Sequence, residues 1–124
     1  MIGATIKSLL VANAGLTALV PEASIFPYVA NPDTPDPKIT YQIDSINPQY
    51  DKNGWAGDIC NFSVASFSAD YANLQLITKQ VRLALDIKKS TGILRITATG
   101  FQEGLSEEGF FAKISFQVKV NSYS

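Results

Sequence analysis

The clearest signal along the chain is two-residue alternation. From Lys38 to Ile46, Ile39, Tyr41 and Ile43 point one way, and Thr40, Gln42 and Asp44 the other. That predicts a half-buried strand. The longest alternating segment runs from Phe110 to Asn121. Phe110, Ala112, Ile114, Phe116, Val118 and Val120 face in, while Lys113, Ser115, Gln117 and Lys119 face out. Ile59–Phe67, with Phe62 and Val64 on one face, and Ile93–Thr99 read as two further strands. Ile25–Tyr28 is a short apolar run containing Pro27. Proline has no N–H to give a ladder, so this strand belongs at a sheet edge.

Two segments follow the helical period instead. Residues 3–12 carry a stripe formed with Ile2, Ile6, Leu9, Leu10 and Leu16, broken near Asn13–Gly15; a helical turn over Leu16–Leu19 follows and ends at Pro21. The second helix runs to about Asp86, with Ser68 as its N-cap and Asp70 in its first turn. Its stripe is Tyr71, Leu74, Ile77, Val81, Ala84 and Leu85, and Lys88 and Lys89 follow its C-terminal end. Three polar stretches read as loops: the proline-rich Asn31–Pro37, Asn47–Gly57 around Asn53-Gly54, and Gly100–Gly109. The order is helix, edge strand, two strands, helix, two strands. It predicts an α+β fold, with a mainly antiparallel sheet of about four to five strands. One face is wet and two helices pack on the other. Residues 1–124 make one domain's worth of chain.

Charge and composition narrow the function. Ten basic and eleven acidic residues leave a net charge of -1, which argues against a dedicated nucleic-acid binder or a polybasic membrane surface. Apolar residues make up 46% of the chain, too many for intrinsic disorder. The N-terminal apolar stretch is interrupted by Lys7 and Asn13 and reads as an amphipathic helix rather than a signal peptide. No apolar run is long enough for a membrane span. Folding in a cytoplasm is expected.

Reactive chemistry is sparse. The chain has no histidine and a single cysteine, Cys60. This removes the commonest general base and metal ligand, every Ser-His or Cys-His pair, and zinc sites of the usual kind. Cys60 lies within a strand, where a buried inert thiol is expected. Asp33 and Asp36 sit among prolines without a calcium-loop ladder, and no phosphate-cradling glycine motif occurs. Neither an enzyme nor a cofactor is expected. The residues singled out are loop residues suited to protein contact. Tyr50, Lys52 and Trp55 combine aromatic anchors with a polar segment. Phe101, Glu103, Leu105, Glu107 and Glu108 mix apolar and acidic groups.

The order of these segments resembles a known family. The series is Leu16-Thr17-Ala18-Leu19-Val20, Ile25-Phe26-Pro27-Tyr28, Ile39-Thr40-Tyr41-Gln42, Phe62–Phe67, Ser68-Ala69-Asp70-Tyr71 and Gln80-Val81-Arg82-Leu83-Ala84-Leu85. Taken in order, it resembles the tail-completion family of siphophages, related in fold to lambda-type tail terminators. Where that family often has a tryptophan before the second helix, this chain has Ser66 or Phe67. The resemblance implies a virion structural protein of the tail, assembled in the bacterial host cytoplasm. It implies a hexameric ring that caps the tail tube, ends tube polymerisation and joins the head or neck. Its partners would be copies of itself, tail tube protein and a head or neck protein, with DNA passing through without specific binding and no membrane involved. No catalytic residue carries over.

Two other readings stand beside this one: a head–tail connector on the portal side, and a small α/β module with a ligand pocket between sheet and helices. The inward faces are apolar apart from Tyr41, which favours a dry core over that pocket. In the ring reading, Glu103, Glu107 and Glu108 face the lumen or the tube. Reversing all three to lysine is then expected to disturb assembly or DNA passage, read as a fall in phage titre; an unchanged titre contradicts that placement.

Overall fold

A computed structural model describes residues 2–28, 37–86, 96–106 and 109–120. Its elements are α1 (Ile2–Ala12), α2 (Ala14–Thr17), β1 (Ile25–Pro27), β2 (Lys38–Asp51), β3 (Gly54–Ser68), α3 (Tyr71–Leu85), β4 (Thr97–Ser106) and β5 (Gly109–Val120). The strands form one sheet in the order β1-β2-β3-β5-β4. Every pairing is antiparallel except the short parallel ladder of β1 on β2, where Ile25 lies opposite Ile39. This is the α+β fold that the alternation predicts, with the proline-bearing strand at an edge.

Burial follows the two periods. Phe62 and Val64 from β3, Ile114, Phe116 and Val118 from β5, and Ile39 from β2 face the helices. Ile6 and Leu10 from α1 and Ile77, Val81 and Leu85 from α3 complete the same cluster. The Phe62 and Phe116 rings stack with centroids 5.2 Å apart, an arrangement that adds to the area they bury. The opposite face carries hydrogen-bonded polar side chains: Asn61 Nδ2 donates to Ser45 Oγ, and Gln117 Nε2 donates to Asn61 Oδ1.

Local capping sets the helix positions. Asn13 caps α2 through Leu16 N–H at 3.0 Å, and its Nδ2 donates to the Gln80 carbonyl at 3.4 Å, which ties α2 to α3. A Cβ on Gly15 would lie 2.6 Å from Gln80 Oε1, so the glycine leaves room for the end of that side chain. At α3 the N-cap is Asp70, which accepts from Ala72 N–H at 3.1 Å. Ser68, expected in that role, instead ends β3, and its hydroxyl accepts from Asp70 N–H at 3.2 Å.

Two segments expected to be loops are strands, for one shared reason. β2 and β3 continue through Asn47–Gly57 as a hairpin closed by the two-residue turn Lys52–Asn53. β4 continues through Gly100–Ser106. Each strand carries a register shift, at Ile43/Ser45 in β2 and at Ala98/Gly100 in β4. A bulge adds one residue and reverses the phase of the alternation. Inward positions thus run Ile39, Tyr41, Ile43, then Ile46, Pro48, Tyr50, and the pattern looks finished when it has only slipped. The helical turn near Leu16 begins at Ala14 rather than at Leu16. The proline stretch at 31–36, Lys88, Lys89, residues 93–95, Glu107, Glu108 and Asn121 lie outside the described residues.

Removing the central ring should be costly and trimming the hairpin should not. Phe116→Ala is expected to lower stability by about 3–5 kcal/mol, against about 0.5 kcal/mol or less for Tyr50→Ala. Urea denaturation followed by circular dichroism measures both.

Candidate functional site

The strands outrun the helices. At 1.5 Å per residue, the 15 residues of α3 span roughly 22 Å, whereas the 15 residues of β3 span roughly 50 Å. The apolar face of the sheet therefore extends beyond its helical cover. The exposed candidate residues lie on these overhangs.

One overhang is the arm formed by the outer halves of β2 and β3. Every residue from Asp44 to Asp51 is exposed. Ile46 pairs with the buried Cys60, Pro48 with Asp58, and Tyr50 with Trp55, so these residues continue the helix-side face. Tyr50 is 71% exposed and Ile46 50%. Trp55 is half-buried, and its Nε1 donates to Asp58 Oδ1 at 2.9 Å. Lys52 occupies the turn, where Asp51 accepts from Asn53 N–H at 2.7 Å and Gly54 takes a φ of +112°. The other face of the arm, with Asn47, Gln49 and Asp51, is polar.

The second overhang is β4, at the opposite edge and running toward the opposite end of the sheet. Phe101 pairs with Ile114, Glu103 with Ala112 and Leu105 with Phe110, which puts all three on the helix side. Phe101 is 60% exposed and Leu105 72%. Glu103 accepts a hydrogen bond from the Tyr71 hydroxyl at 2.7 Å, and Tyr71 leans on Phe110 with ring centroids 5.2 Å apart. That bond to the Glu103 carboxylate is the main reason the Tyr71 phenol lies above its ordinary pKa. Glu103 therefore stands on a strand with a partner rather than in a solvated loop.

Between α3 and β4 runs an open groove of about 600 Å³. Ala98, Phe101 and Ile114 supply its apolar floor, and Thr78, Lys79 and Arg82 line its helix wall. The α3 end is fixed to β4 by Asp86, whose carboxylate accepts from Ala98 N–H at 3.2 Å and lies 3.5 Å from Arg82 Nε. The sequence pointed to Phe101 and Glu103 but missed Lys79 and Arg82. On a helix wheel these read as a solvent face, and only the strand order, with β5 between β3 and β4, brings β4 beneath them. Leu76 and Leu83, 54% and 55% exposed on α3, were missed as well.

Thus the structure brings Tyr50, Lys52 and Trp55 together at one end, and Phe101, Glu103 and Leu105 at the other. Trp55 and Ser68, the latter beside Phe110, are 13 positions apart on β3, so the two groups are separated by roughly 40 Å.

The fold has a solved counterpart. A solved chain from the virion of a native gene transfer agent particle superposes with a TM-score of 0.77 at 19% sequence identity; the match covers 94% of this chain and 92% of that one. At that identity the likeness is one of fold. No protein-family model matches the chain, and no curated protein sequence matches it.

Among the described residues the interior carries little that could react. Among the described residues no group of three or more histidine, cysteine, aspartate or glutamate side chains converges on a point. No described helix is long and apolar enough to cross a membrane. Cys60 is fully buried, and burial, reinforced by Asp44 and Asp58, pushes its thiol up from 9.0 to about 11. Burial also raises the Tyr41 phenol.

A raised thiol pKa means that the folded chain holds its proton more tightly than the unfolded chain. The associated stability is therefore complete below about pH 9 and is lost as pH rises toward about 11. Native Cys60 is expected to react with a soluble maleimide at least ~100-fold more slowly than in urea. Cys60→Ala should flatten the loss of stability between pH 9 and 11.

Proposed function

We propose that this chain is a structural protein of a phage-type virion that works by assembling with copies of itself into a ring capping the tail tube. The observation that carries the reading is the fold-wide likeness to a chain of a gene transfer agent virion, nearly end to end in both. Two features of this molecule support it. The described core is one apolar cluster, which leaves the exterior as the functional part. The two overhangs differ in shape and charge and lie at opposite ends, as head-to-tail contacts around a ring require.

In this reading the ring ends tube growth and presents a surface to the head or neck. DNA passes through it, a task suited to a net charge of -1. The chain turns over no substrate and holds no cofactor. Residues 1–124 act as one domain.

Native mass measurement and negative-stain imaging of the purified chain, alone and with tail tube protein, test the proposal. Closed rings, free or seated on tube ends, are expected. Rings that collect on filled heads and ignore tubes would place the chain at the neck instead. Monomers under every condition, or measurable turnover of a metabolite, would overturn the assembly reading.

A further inference from the structure

The two overhangs have complementary surfaces. The arm has a one-sided apolar strip, Ile46, Pro48 and Tyr50, with no described strand or helix over it. An isolated two-stranded hairpin is marginal in water, so such an arm gains stability from a surface that covers its strip. The arm is also acidic: Asp44, Asp51 and Asp58 outnumber Lys52. The groove beside α3 has an apolar floor and two cations, Lys79 and Arg82, on its helix wall; Arg82 also pairs with Asp86, and Glu103 accepts from Tyr71. Its volume of about 600 Å³ lies in the range that admits a few side chains.

Within one chain the two surfaces do not meet. β5 separates β3 from β4, and β4 runs from beside Gln117 toward the end of the sheet away from the arm tip. A contact between them would therefore join two copies.

We infer that the β2–β3 arm of one copy docks in the α3–β4 groove of the next, with the Tyr50 strip on the Ala98–Phe101–Ile114 floor and Asp58, on the same face of the arm as the strip, toward Lys79 and Arg82. The contact is heterologous. Each copy gives an arm and receives one, so repetition yields a ring where the rotation closes. The inference rests on the self-assembly reading and names the surfaces that carry it. It also accounts for Phe101 being exposed although it stands on the helix side of β4.

Lysines already present allow a direct test. Lys52 sits at the arm tip and Lys79 on the groove wall. Equal amounts of unlabelled and 15N-labelled chain are mixed at high concentration, with and without tube protein, and treated with a short amine-reactive cross-linker. Linked peptides are then mapped by mass spectrometry. A Lys52–Lys79 link carrying one light and one heavy peptide is expected to dominate the interchain products. Tyr50→Asp should reduce it at least tenfold while leaving the far-ultraviolet spectrum unchanged. Arg82→Glu should reduce it too.

Oligomers whose interchain links omit Lys52–Lys79 overturn the docking and leave self-assembly standing. Monomers at every concentration, alone and with tube protein, overturn both. A link that survives Tyr50→Asp and Arg82→Glu unchanged overturns the proposed chemistry of the contact.

Discussion

A strand residue advances the chain about twice as far as a helical one, and this molecule is shaped by that mismatch. β3 and α3 have the same number of residues, so a helix packed on the middle of the sheet leaves both ends bare. The covered centre holds Phe62, Phe116 and the helix stripes in one cluster. The ends beyond the helices hold Ile46, Tyr50, Phe101 and Leu105, which keep the inward alternation of their strands yet stay exposed. Stability and exposure come from one pattern, carried further than the helices can follow.

The sheet keeps these bare ends distinct. β1 covers β2 only between Ile39 and Tyr41, so among the described residues no strand pairs with the free side of the outer half of β2. β4 forms the other edge. Unprotected edges with exposed apolar residues invite pairing. Here the two differ in kind: one is a slender acidic arm, the other an edge lying beside a basic helix wall. Like surfaces would favour closed pairs of copies, and unlike surfaces favour a chain of contacts that turns into a ring.

The central fold was legible in the sequence because alternation and helical stripes are strong over Ile39–Ile43, Phe62–Phe67, Leu74–Leu85 and Phe110–Val120. The two overhangs were legible as candidate contacts but not as strands. A single extra residue, Asp44 in one strand and Thr99 in the other, inverted the alternation, and Pro48, Gly100 and Gly104 then completed the appearance of loops. A glycine at 104 reads as a break until Phe111 is known to lie across it, close enough that a Cβ would stand 2.8 Å from the ring. The groove was not legible at all. It depends on which strand lies under the polar side of α3, a fact of sheet order that no local pattern encodes. The cap of α3 was misplaced by two residues, since Ser68 and Asp70 are both competent caps and only the end of β3 decides between them.

The central claim is that the bare ends of the sheet are where copies of this chain meet. Amide hydrogen exchange, compared between the dilute and the assembled chain, tests it most directly. The account predicts added protection over residues 44–51 of the arm and 97–106 of β4, with little change in the centre of β3 and β5. Assembly that protects the polar outer face of the sheet and leaves both ends exchanging as before would contradict it.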